Sequence, residues 1–166
     1  MTVIYLLRHG EAVDSEEVGG KDAPRMLTAK GEDLTRRAAK GMKRLEIRPD
    51  LIWSSPLTRA IQTARLTAEV LDMAERVEEV QDLGVGADPG VLAGLIQQYG
   101  DTETLMLVGH NPDLEELLQY LISETDRANI TLKKGGLAIV EAERPIHQGC
   151  GALVALWSPK QLAALA

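Results

Sequence analysis

The chain predicts an α/β fold: a three-layer sandwich with a mostly parallel, mixed central sheet and helices on both faces. Two observations carry that expectation. Short apolar runs alternate with longer segments of helical period, the mark of layered strand–helix units. The last two runs are separated only by Glu143–Ala152, so the sheet should be mixed with an antiparallel edge. With 166 residues and no composition break or internal repeat, a single domain over residues 1–166 is expected.

Taken in order, Val3–Leu7 reads as the first strand, and the acidic, glycine-containing stretch Asp14–Pro24 as a surface loop. A helix near residues 30–44 sets Leu34, Ala38, Met42 and Leu45 on one face. Its cations, Lys30, Arg36, Arg37, Lys40, Lys43 and Arg44, form either a solvated face or a docking surface for an acidic protein. Leu51–Ser54 is the second strand, followed by a helix facing Leu57, Ile61, Ala64, Ala68 and Leu71 inward. Strands at Arg76–Val80 and Leu105–Val108 flank a helix over Val91–Tyr99. Leu114, Leu117, Leu118, Leu121 and Ile122 match the i, i+3, i+4, i+7, i+8 pattern of an amphipathic helix. Leu137–Glu141 and Leu153–Trp157 complete the sheet, and a short helix covers Lys160–Leu165.

Composition narrows the function classes. With no Phe, two Trp and three Tyr, the core must be aliphatic and a reader of bases by aromatic stacking is not expected. A net charge of −7 argues against a broad nucleic-acid footprint, so any anion site must be local. Cys150, between Gly149 and Gly151, is the only cysteine and reads as an inert thiol in a turn; no disulfide or cysteine metal site can form within the chain. The apolar run before Arg8 is too short for a signal peptide, and no stretch approaches the ~18–20 apolar residues of a membrane helix. A cytoplasmic monomer without membrane or nucleic-acid partners is expected.

In an open α/β sheet, chemistry collects outside the carboxyl ends of the strands. Three strand ends here carry similar equipment. The first is Arg8-His9-Gly10. The second is Ser54-Ser55-Pro56-Leu57-Thr58-Arg59, with Ser55 as N-cap and Pro56 as first helical residue, and Arg59 about one turn in. The third is Val108-Gly109-His110-Asn111-Pro112, where Asn111 and Pro112 repeat the cap-and-proline start. Alone, Arg59 would read as a surface arginine and His110 as a structural imidazole. Together they put two arginines, two histidines and two helix N-termini on one rim, a set suited to a dianionic phosphoryl group.

With these motifs the chain resembles the histidine phosphatase superfamily, the phosphoglycerate-mutase-like fold. The resemblance rests on Arg-His-Gly-Glu at Arg8–Glu11, Ser-Pro-Leu-Thr-Arg-Ala-Ile-Gln-Thr-Ala at Ser55–Ala64 and Val-Gly-His-Asn-Pro at Val108–Pro112, and spans residues 3 to about 123. Short length and the Arg25-Met26-Leu27-Thr28 then Gly31 pattern look most like the SixA branch of phosphohistidine phosphatases. The resemblance implies that His9 attacks phosphorus and carries a covalent phosphohistidine, while Arg8, Arg59 and His110 hold the phosphoryl oxygens. Arg25 is a further candidate for substrate contact. The family's general acid follows the third strand, where Asp82 stands nearest and Asp88 is its rival; Glu11 reads as structural or rim-lining. Cations around His9 would disfavour its protonated form and keep it a free-base nucleophile.

No cofactor or metal is expected. His9, His110 and His147 lack a carboxylate or cysteine at ligand spacing, arginines beside two of them would repel a cation, and His147 sits in a turn after Pro145. Gly84-x-Gly86 lacks the third glycine of a dinucleotide fingerprint, and no P-loop occurs. The expected function is hydrolysis of phosphohistidine in a protein such as a histidine phosphotransfer domain, at a shallow site that the short segment Leu83–Asp101 leaves open. The alternative is a phosphatase for a small phosphate ester. A mutase would need a closed lid and a non-catalytic phosphate-binding module would lack His9 or an arginine, so both fit less well.

Overall fold

Ile4 and Leu6 of the first strand, β1 (Thr2–Arg8), pack on one side of a six-stranded sheet while Tyr5 and Leu7 pack on the other, as the two-residue strand period requires. The computed structural model describes residues 1–100, 104–125 and 128–166. The remaining strands are β2 (Leu51–Ser54), β3 (Val77–Glu79), β4 (Thr104–Gly109), β5 (Leu137–Ala142) and β6 (Gly151–Trp157). Their order is β3-β2-β4-β1-β5-β6; the first four run parallel, β5 pairs antiparallel with β1, and β6 antiparallel with β5. The mixed α/β sandwich is therefore as the sequence predicts.

Helices α1 (Ala29–Arg44), α2 (Thr58–Val70) and α5 (Pro159–Ala163) cover one face, where Ala38, Met42, Ala64 and Leu162 meet Tyr5, Ile52 and Met106. On the other face, α3 (Pro89–Gln98) and α4 (Asp113–Ile122) bring Leu92, Ile96, Leu114, Leu117, Leu118 and Leu121 against Ile4, Leu6, Trp53 and Leu107. None of the helices among the described residues is long and apolar enough to cross a membrane.

Three local expectations shift. Strand β3 is shorter than Arg76–Val80, because Arg76 closes a 3-10 turn and donates to the Asp50 carbonyl at 3.0 Å. On α1, Leu45 is exposed at the C-cap and Leu34 only half-buried; Gly31, Thr35, Ala39 and Gly41 lie inside instead, since small residues let the helix sit close to its neighbours. Helices α2 and α4 begin at Thr58 and Asp113, later than the proposed caps. Ser55 Oγ accepts from the Leu57 amide at 3.2 Å in a turn that precedes the helix, and Asn111 turns its amide to Glu115 and the Leu132 carbonyl.

Strand register builds the rim. Arg8 pairs with Gly109 and Ser54 with Val108. The next residues are held in step by main-chain bonds, His9 N to Gly109 O at 3.1 Å and Ser55 N to Val108 O at 2.9 Å. His9, Ser55 and His110 therefore emerge side by side.

Candidate active site

The rings of His9 and His110 face each other with centroids 5.2 Å apart, and both residues are buried, as is Arg59. A carbonyl can only accept, so the 2.7 Å contact between His9 Nδ1 and the Gly10 carbonyl places the proton on Nδ1 and leaves Nε2 with its lone pair. Arg59 Nε donates toward that lone pair at 3.3 Å. Gly10 is held in turn: its amide donates to Thr63 Oγ1 at 3.0 Å, and Thr63 donates to the Arg59 carbonyl at 2.7 Å. A Cβ on Gly10 would stand 2.8 Å from Thr35 Oγ1, so a larger residue here would press on this side chain of α1.

His110 has different partners. Its Nε2 lies 2.7 Å from Ser55 Oγ, while its Nδ1 is buried with no protein partner. Arg8 donates from one terminal nitrogen to the Leu132 carbonyl at 3.0 Å, and its Nε is likewise buried without a partner. Two unpartnered nitrogens thus belong to residues that flank His9, and buried polar groups ordinarily find a partner.

Burial pushes the His9 imidazole down to about 3, reinforced by His110, Arg59 and Arg8 and opposed by the bond to Gly10. Burial, with Arg59 next, takes His110 down to about 4. Both rings are neutral at pH 7. Burial also lowers the Arg8 pKa, against the pull of Glu115.

Around this centre the structure draws in a residue that the reading of Asp14–Pro24 as a plain surface loop missed. Asp22 accepts from Arg59 at 3.1 Å and from Arg25 at 3.0 Å, and its carbonyl accepts from Arg59 at 3.2 Å. Partial burial opposes ionisation, but the hydrogen bonds from Arg25 and Arg59 hold its carboxyl below the usual range. Arg25, anchored to the Val13 carbonyl at 2.8 Å, reaches the site through Asp22. The segment before α1 thus places a carboxylate against Arg59. The stretch Leu83–Asp101, expected to leave the site open, ends on a residue outside those described.

The two acid candidates stand apart from one another. Asp82 is exposed on a 3-10 turn (Gln81–Leu83) just after β3, on the same carboxyl rim. Asp88 caps α3, accepting from the Val91 amide at 3.0 Å. Glu11 accepts from Thr28 Oγ1 at 3.1 Å, and His147 is exposed beside the turn at Gly149. Asp113 and Glu115 also went unread: Asp113 holds the Gly86 amide at 2.9 Å, and Glu115 holds the Leu132 amide at 2.7 Å. Acidic residues in a helix's first turn were the available signal. Among the described residues there is no cluster of three or more His, Cys, Asp or Glu side chains that could hold a metal ion.

Residues 4–103 match the family model described as the histidine phosphatase superfamily (branch 1). An uncharacterised protein of Picosynechococcus sp. is 31% identical over 136 residues, 81% of each chain. The phosphohistidine phosphatase SixA of Escherichia coli is 25% identical over 123 residues, covering 73% of this chain and 72% of that one. In fold, the chain matches a structure of the protein histidine phosphatase SixA complexed with tungstate, at a TM-score of 0.84 and 23% identity over 97% of this chain and 99% of that one.

Proposed function

Because the chain belongs to the histidine phosphatase superfamily, with SixA-like relatives in sequence and structure, we propose that it hydrolyses phosphohistidine in a protein through a covalent phosphoryl group on His9. The observation that carries this reading is the pairing of a neutral, lone-pair-bearing Nε2 on His9 with two buried, unpartnered nitrogens, Arg8 Nε and His110 Nδ1. When the Ser55 hydroxyl donates to His110 Nε2, the imidazole proton lies on Nδ1, and both orphaned nitrogens are donors. A phosphoryl group on His9 satisfies them.

The chemistry runs in two displacements. The His9 lone pair attacks phosphorus, the bond to the leaving nitrogen breaks, and that nitrogen takes a proton. Water then attacks phosphorus, the P–N bond to His9 breaks, and inorganic phosphate leaves. Arg8, Arg59 and His110 stabilise the charge on the equatorial oxygens in both transition states. Arg59 turns its donors from His9 and Asp22 to the phosphoryl group, and Arg25 keeps hold of Asp22. The leaving imidazole is protonated by solvent; Asp82, one methylene shorter than the glutamate of the family pattern, serves this step less well, and Asp88 is already committed as a helix cap.

No metal is needed, since the arginines supply the positive charge that a metal would otherwise bring. Activity is expected to survive exhaustive EDTA treatment; loss on EDTA with recovery on zinc or magnesium would refute the arginine clamp. The deciding experiment compares a phosphorylated histidine phosphotransfer domain, an aryl phosphate and a sugar phosphate. The expected order of kcat/KM is as written, because imidazole and phenolate leave more easily than an alkoxide. A sugar phosphate as best substrate, with hydrolysis abolished by Asp82→Asn, would establish the small-ester reading instead.

A further inference from the structure

Arg8 opens onto a groove that the chemistry above does not use. A hollow of about 430 Å³ is lined by Arg8, Lys133, Lys134 and Lys160 over apolar Leu34 and Pro159. At Leu34 and Lys160 it runs into a second hollow of about 380 Å³ beside Lys30, Arg37 and the latter's partner Asp33. At Lys133 it meets a third, which leads to Leu156 and Trp157. Val154 and Leu156, 53% and 41% exposed, alternate outward on the edge strand β6 beside it.

The lysines stand on a fixed platform. Leu132 is fully buried, its amide bound to Glu115 and its carbonyl to both Arg8 and Asn111. Gly135, at φ +72°, donates to the carbonyls of Arg8 and His9 at 3.0 and 2.9 Å. The segment that seats Arg8 therefore also presents Lys133 and Lys134. Among the described residues no carboxylate comes within salt-bridge distance of Lys133, Lys134 or Lys160. On α1, Lys30, Arg36, Arg37 and Lys43 are matched by Glu11, Glu69, Asp33 and Asp72 at 3.9, 3.0, 3.7 and 2.6 Å, and the unmatched Lys40 and Arg44 line a separate hollow that Arg8 does not reach. In a chain of net charge −7, three unmatched cations beside the phosphate-binding arginine are a local reversal of sign.

We propose that this groove docks an acidic, amphipathic surface of the phosphoprotein substrate, apolar side chains resting on Leu34 and Leu156 while carboxylates meet the three lysines. The proposal rests on the protein-phosphohistidine reading. A row of hollows with an apolar floor and a cationic rim fits an acidic helix better than one small anion.

The test neutralises Lys133, Lys134 and Lys160 together with Gln. On an acidic phosphohistidine phosphotransfer domain at low salt, kcat/KM should fall about tenfold or more, through KM. On an aryl phosphate it should change less than about twofold, and about 0.5 M salt should bring the wild type down to the variant. Neutralising Arg36 and Lys43 on α1 should leave both substrates unchanged. Equal losses on both substrates, no loss on either, or an equal effect from the α1 variant would overturn docking at the groove. So would a wild-type preference for a bisphosphate ester over a monoester that vanishes in the triple variant, which would make the groove a second phosphate subsite. If the wild type turns over the phosphoprotein and the triple variant matches it, only the groove fails. If the wild type hydrolyses the aryl phosphate but neither binds nor hydrolyses the phosphoprotein, the substrate reading fails with it.

Discussion

His9 and His110 follow neighbouring parallel strands, lie at matching register and face each other, yet their ring nitrogens are partnered in opposite ways. At the β1 end the proton is pinned on Nδ1 by the Gly10 carbonyl, and the free nitrogen meets Arg59. At the β4 end Nε2 is taken by the Ser55 hydroxyl, and Nδ1 is left without a protein partner. Burial makes both neutral, so charge does not distinguish them; hydrogen-bond partners do. In the proposed mechanism the first ring attacks and the second stabilises.

The sharpest way to break that comparison is to remove each ring in turn. His9→Ala should lose turnover by roughly 10⁴ or more, since no other group supplies the lone pair. His110→Ala should cost roughly 10²–10³, the effect of one preorganised donor. An alkaline quench of wild-type enzyme during turnover should find phosphate on His9; label on His110 or Ser55 would reverse the assignment.

The arginines sharpen the difference further. Arg8→Lys and Arg59→Lys should each cost roughly 10²–10³ in kcat, because lysine cannot reproduce the planar fork. Losses under tenfold in both, measured with the aryl phosphate, would reduce them to supports of the fold.

The shared neutrality can be read from stability. Above the ordinary imidazole pKa of 6.5, folded and unfolded chains both hold these rings neutral. As pH falls below 6.5 the unfolded chain takes up protons that the folded chain resists until about 4 for His110 and about 3 for His9, so stability is lost across that window. Between pH 7 and pH 5 each ring should account for about 2 kcal/mol of the loss. Urea unfolding of His9→Gln should show a loss smaller than wild type by about that amount; an unchanged loss would mean that the ring is not held neutral.

Ser55→Ala should have the smallest effect, about two- to tenfold in kcat, the range of one neutral hydrogen bond. A loss as large as that of His110→Ala would make Ser55 part of the reacting set and not only the orienting partner of His110.

Much of this protein is determined locally and could be read from its sequence. The order of strands and helices follows from apolar period. The strand-end motifs at Arg8, Arg59 and His110 mark the rim because strands that share a sheet in parallel release their next residues at the same end. Helix starts were less legible: Ser55 and Asn111 have cap chemistry, but each found a tertiary partner, His110 for one and the Leu132 carbonyl for the other. Only the tertiary structure decided which nitrogen of His110 is free, that Asp22 folds back onto Arg59, and that Lys133 and Lys134 stand unmatched beside Arg8 while four of the six α1 cations are matched by nearby carboxylates. Period, capping preference and motif spacing act over a few residues along the chain. A side chain's hydrogen-bond partner and a charge's nearest opposite come from segments that only folding brings together.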